Sequence, residues 1–68
     1  MDLDLRGYPP VLSAGQIAEA TGFNQNTILR WMKEGQLGRV VLTPGGHRRV
    51  PRESLAAVFA GLGWDVTL

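Results

Sequence analysis

Six of the chain's seven basic side chains, Arg30, Lys33, Arg39, Arg48, Arg49 and Arg52, fall between residues 22 and 52, where Glu34 is the only carboxylate. That stretch carries a net charge of +5. Residues 1–21, with Asp2, Asp4 and Glu19 against Arg6, carry −2, and residues 53–68, with Glu53 and Asp65, carry another −2. A basic middle between acidic ends is an electrostatic footprint for a polyanionic partner, set against the plainer reading of a solvated charged face. The hydrogen-bonding side chains Gln25, Asn26 and Thr27 precede Arg30 within one or two helical turns, and His47 stands beside Arg48 and Arg49. These residue types donate to anionic oxygens and exchange hydrogen bonds with polar edges.

Other chemistries find little support. There is no Cys, which removes disulfides, thiolate nucleophiles and Cys-ligated zinc, and fits a reducing compartment. His47 is the single histidine and has no nearby acidic partner, so metal ligation and general-base work are not expected of it. Gly45-Gly46 lacks the Lys-Ser/Thr that completes a phosphate loop and reads as a turn. Ser13 is explained by helix capping and Ser54 by an exposed helix position, leaving no nucleophile–base pair. With 68 residues the chain is long enough for one small domain, which buries only about 60% of its unfolded surface. A binding protein without cofactor is therefore expected rather than an enzyme. The longest uncharged apolar run, Leu55–Trp64, is half of the roughly 20 residues a membrane helix requires. Met1–Pro10 holds Asp2 and Asp4 where an export signal has positive charge, so a cytoplasmic protein is expected.

The elements that must position these side chains are marked by local punctuation. Pro9-Pro10 closes an irregular arm, residues 1–10, and the domain spans 11–62 with a tail at 63–68. Ser13 and Gln16 form an S-x-x-Q capping box before Ala14, Ile17, Ala18 and Thr21 at helical spacing, and Gly22 stops that helix. Asn24 caps a second helix, with Phe23 as a hydrophobic staple and Gly35 as its stop. Ile28, Trp31 and Met32 share its apolar face. Asn26, Arg30 and Lys33 cluster opposite, flanked by Thr27 and Leu29. Val40–Thr43 and His47–Val50 around Pro44-Gly45-Gly46 read as a hairpin. Pro51 then opens a third helix with the stripe Leu55, Val58, Phe59 and Leu62.

Two helices joined by a tight turn, the second polar and basic outward, meet the geometric needs of a helix-turn-helix, and a hairpin with Arg48 and Arg49 adds a second contact. The segments Leu12-Ser13-Ala14 with Ile17-Ala18, Gly22 through Ile28 with Arg30-Trp31, and Thr43-Pro44-Gly45-Gly46-His47-Arg48-Arg49 resemble the winged helix-turn-helix domain of the MerR superfamily. They are most similar to its small BldC-like and phage excisionase-like members, over about residues 11–60. The resemblance implies a mainly α fold, three helices with a two-stranded wing, that binds double-stranded DNA. It implies the second helix, about 25–34, in the major groove and the wing, about 39–50, on the backbone or minor groove. Carried across, Gln25, Asn26, Thr27 and Arg30 face DNA from the helix, and His47, Arg48 and Arg49 from the wing. Leu29, where relatives are often polar or basic, departs from the pattern and points to an apolar contact such as a thymine methyl.

Lys33 joins the helix contacts as the weaker member, since a helix C-terminus favours a cation anyway. Trp31 combines core packing with a phosphate contact through its indole N–H. For Arg39 and Arg52, phosphate contact stands beside solubilising the hairpin and pairing with Glu53. The functional reading is a small transcription regulator or DNA architectural factor. The alternative is an excisionase that assembles head-to-tail on DNA and bends it for an integrase. A different class is a protein-interaction module or the detached targeting domain of a larger protein.

Overall fold

A computed structural model describes all of residues 1–68. In chain order its elements are β1 (Asp2–Asp4), β2 (Val11–Leu12), α1 (Ala14–Thr21), α2 (Gln25–Glu34), β3 (Val41–Leu42), β4 (Arg48–Pro51), α3 (Arg52–Gly61) and β5 (Asp65–Thr67). The helix boundaries follow from capping chemistry. Ser13 Oγ accepts the N–H of Gln16 at 3.2 Å, while Gln16 Oε1 accepts the N–H of Ser13 at 2.9 Å, satisfying two donors that open a helix without partners. Gly22 ends α1 in the left-handed conformation, φ 81°, and its N–H reaches the carbonyl of Ala18. Asn24 Oδ1 then accepts from Asn26 N–H at 2.8 Å, and α2 runs until Gly35, φ 75°.

Short connections make α1 and α2 neighbours, and they close on each other through Ala14 and Ile17 on one side and Ile28 and Met32 on the other, all buried. From α3, Leu55, Ala56 and Phe59 complete this layer, with Val50 of β4 and Leu37 from the α2–β3 connection beside them. The expected stripe on α3 is shorter than its spacing promised. Leu62 lies one residue past the helix, where the 3.6-residue period no longer aims it inward, and is 68% exposed. Pro51 also differs from expectation: it ends β4 and stands at the cap position, so the helix begins at Arg52.

The hairpin forms with fewer paired residues than expected. Val41 pairs with Arg49 and Leu42 with Arg48, antiparallel, while Val40, Thr43 and His47 lie outside the strands. Gly46, φ 79°, donates its N–H to the Thr43 carbonyl, and Thr43 donates to the His47 carbonyl, which turns the chain back. A third strand enters that the residue pattern did not disclose. β2 pairs with the far side of β4 through Val11↔Pro51 and Leu12↔Val50, giving the order β2-β4-β3 and fixing the hairpin's base to the body.

The main correction concerns the two ends. The arm expected to be irregular contains β1, the tail contains β5, and they pair in parallel through Asp2↔Asp65, Leu3↔Val66 and Asp4↔Thr67. Burial is the cause: Leu3 and Leu5 are 1% and 0% exposed, and Leu5 N–H is bonded to the Thr67 carbonyl at 2.8 Å. Alternation along the strand leaves Asp2 and Asp4 outside, where Arg6 binds Asp4 through two side-chain contacts of 3.0 Å. Those hydrogen bonds, joined by the Arg6 backbone N–H, hold the Asp4 carboxyl at about 2, well below the usual carboxylate range. Tyr8 ties the segment to α1 by donating its hydroxyl to Glu19 Oε1 at 3.0 Å. Phe23 joins Trp31, Phe59 and Trp64 in an aromatic cluster, with ring centroids 5.2 Å apart for Phe23–Trp31 and 4.8 Å for Phe59–Trp64. Phe23 thus links the helical turn to the C-terminal segment. No helix is long and apolar enough to cross a membrane.

Candidate functional site

The hairpin of β3 and β4, hereafter the wing, orients its candidate side chains by strand alternation. Leu42 and Arg48 sit opposite each other on one face, and His47 lies at the turn above them. Facing the wing are the first turns of α1 and α2, brought side by side by the three-residue turn Gly22-Phe23-Asn24. Between them runs an open groove of about 450 Å³. Its walls are Ser13, Ala14 and Gly15 from the start of α1, Gln25 and Leu29 from α2, and Leu42, Gly46, His47, Arg48 and Arg49 from the wing. No carboxylate is among them.

Chemically the groove joins three kinds of contact. Arg48 is exposed, with its guanidinium free of any protein partner; Arg49 is half-buried and donates from Nη1 to the Arg48 carbonyl at 2.9 Å. Two guanidinium groups on one strand present forked N–H donors suited to phosphate oxygens. The Gln25 carboxamide and the Leu29 side chain offer a hydrogen-bonding group and an apolar group from α2, with Leu29 38% exposed. Leu42 adds a second apolar surface from the opposite wall, at 67% exposure.

Of the expected site residues, the structure brings Gln25, Leu29, His47, Arg48 and Arg49 together in this groove. Asn26, Arg30 and Lys33 are exposed on α2 outside the groove lining, on the sector reached by continuing around the helix from Leu29. Thr27 is half-buried. Trp31 is also half-buried, its ring packed edge-on against Phe23. Arg39 is exposed at the start of the wing, and its backbone N–H is bonded to Ser54. Arg52 departs from the pairing with Glu53 considered above. Its Nη1 donates to the Tyr8 carbonyl at 3.1 Å, and Arg6–Asp4 is the chain's one ion pair.

Residue type and spacing did not mark Ser13, Ala14, Gly15, Leu42 or Gly46 as groove residues. Strand alternation offered a sign for Leu42, which shares a face with Arg48 once the register is known. Gly15 has ordinary helical backbone, and a Cβ there meets only the Gln25 carboxamide and Ser13 Oγ at 3.8–4.0 Å. Its bare backbone therefore leaves the groove open beside Gln25 without being required by the turn.

Comparison with protein-family models gives a match to the family described as helix-turn-helix domain over residues 11–62, which takes in both walls of the groove and leaves β1 and β5 outside. Neither a curated protein nor a solved structure matches the chain.

Proposed function

The chain belongs to the helix-turn-helix domain family, and from that membership we propose that it recognises double-stranded DNA by sequence, with α2 in the major groove and the wing on the flanking backbone or minor groove. One observation carries the reading. Gln25 and Leu29 of α2 and His47, Arg48 and Arg49 of the wing converge on one open groove that contains no acidic side chain. A helix with side chains is about 10–12 Å across, matching a major groove about 12 Å wide, and a phosphate strand then lies between helix and wing. Gln25, Asn26, Thr27, Leu29 and Arg30 read or flank base edges, while Lys33, Arg48 and Arg49 neutralise phosphates and His47 hydrogen-bonds them, joined by the Trp31 indole N–H, Arg39 and the remaining donors of Arg52. A body of 32 × 21 × 18 Å covers no more than about one turn of duplex. Its role is that of a compact transcription regulator or architectural factor acting by binding rather than catalysis, as the resemblance to small MerR-superfamily proteins implies.

Selection of binding sites from randomised duplexes tests the reading, with Asn26→Ala as the discriminating variant. Asn26 is exposed, and its side chain makes no hydrogen bond within the protein, its backbone N–H being the group that Asn24 caps. Its replacement should relax preference at one or two positions by about 1–3 kcal/mol while leaving binding to unselected DNA nearly unchanged. An unchanged site preference removes Asn26 from the base-reading set.

A further inference from the structure

The segment from the end of α2 to β3 is the covalent link between the helix and the wing, and it is held by a side chain outside the groove. Ser54, the third residue of α3, is half-buried rather than at the exposed helix position expected of it, because the Leu37–Arg39 segment packs over it. Its Oγ accepts the N–H of Arg39 at 2.9 Å and donates to the carbonyl of Leu37 at 3.2 Å. Gly38, between those two residues, has φ +76°, and a Cβ there would lie 2.6 Å from Ser54 Oγ and 3.6 Å from Val58 Cγ2. Leu37 itself is 1% exposed. A single hydroxyl therefore satisfies both a donor and an acceptor of a three-residue segment pressed directly against it, using its capacity to do both at once.

We infer that Ser54 is a positioning residue for DNA recognition, its hydroxyl setting where the wing starts relative to α2; the assignment rests on the DNA-binding reading above. The wing's other end is already anchored, because β4 pairs with β2 and passes through Pro51 directly into α3. With Ser54 gripping the incoming segment, both ends of the wing are referenced to the same helix. Ser54 contributes nothing to the groove lining, so its effect on binding travels through geometry alone. Contacts from helix and wing to one duplex reinforce each other only while their separation is held, and loss of that preorganisation weakens binding without removing a contact.

A double-mutant cycle on the full chain with mixed-sequence duplex DNA tests this. Ser54→Ala should weaken binding about two- to tenfold, the scale of one net hydrogen bond, and Ser54→Thr, which keeps the hydroxyl, should restore it. In an Arg48→Ala/Arg49→Ala background, where only His47 and Arg39 remain to hold the wing to DNA, Ser54→Ala should cost clearly less than in the wild-type chain. Equal losses in both backgrounds, or none in either, would overturn the Ser54 assignment while wild-type binding leaves the DNA reading standing. Failure of the wild-type chain to bind would overturn both. A readout independent of any variant is amide exchange: Arg39 N–H should be protected like that of Ile28, and exchange at the solvent rate would overturn the clasp.

Discussion

Replacing Leu3 and Leu5 together by alanine should leave the chain largely unfolded at 25 °C, although neither residue lies within the family-matched span. Both side chains are fully enclosed, and the Leu5 backbone is bonded to the Thr67 carbonyl. A buried Leu→Ala change costs about 2–5 kcal/mol, because the transfer free energy is lost and a cavity remains. A 68-residue domain has roughly 3–10 kcal/mol of stability in total. The double change thus consumes most or all of it, and each single change should lower the urea midpoint substantially. Leu68, 57% exposed, is the internal control and should be replaceable by alanine without measurable effect. Equilibrium urea denaturation followed by circular dichroism measures all four variants. A double variant with the wild-type midpoint would show that the β1–β5 pair is not part of the folded core.

The second large effect is expected at the wing. Arg48→Ala with Arg49→Ala should weaken binding to every duplex by a similar factor while leaving the helical signal intact. Each phosphate neutralised contributes about 0.9 to the logarithmic salt slope, so losing two reduces its magnitude by about 2. Taken to 0.1 M salt, the same relation gives roughly eightfold in affinity per contact and roughly sixtyfold for the pair. Arg48 should carry the larger share, since its guanidinium is unengaged whereas that of Arg49 already bonds the Arg48 carbonyl. Unequal losses across unrelated sequences would mean that these arginines read bases instead.

What could be read from the residues, and what could not, divides by range. The capping box at Ser13 and Gln16, the stops at Gly22 and Gly35 and the cap at Asn24 all appeared where expected, because each depends on backbone groups within four residues. The wing turn was legible for the same reason. The pairing of β1 with β5 joins residues more than sixty positions apart in strands of three residues, too short to establish a period. Its one local sign was the alternation Asp2-Leu3-Asp4-Leu5, which the acidic charges and the following Pro9-Pro10 made easy to read as a solvated arm. β2 was hidden similarly, being two residues long and defined by its partner.

The candidate site shows the same division. Residue type and helical spacing singled out Gln25 and Leu29, and proximity to the glycine turn singled out His47, Arg48 and Arg49. That they face one groove with the start of α1 is a product of tertiary packing, as is the presence of Leu42 opposite Leu29. Ser54 gave no sign in the sequence beyond an unremarkable helix position, because its two partners belong to a loop 15 and 17 residues upstream.

The most direct test of the account is the affinity of the purified chain for mixed-sequence duplex DNA, measured by fluorescence anisotropy across a series of salt concentrations. With roughly four to six phosphate contacts, affinity should fall as a power of salt with a slope of about −4 to −5. Absence of binding at low salt, or a slope near zero, would contradict DNA recognition by this groove.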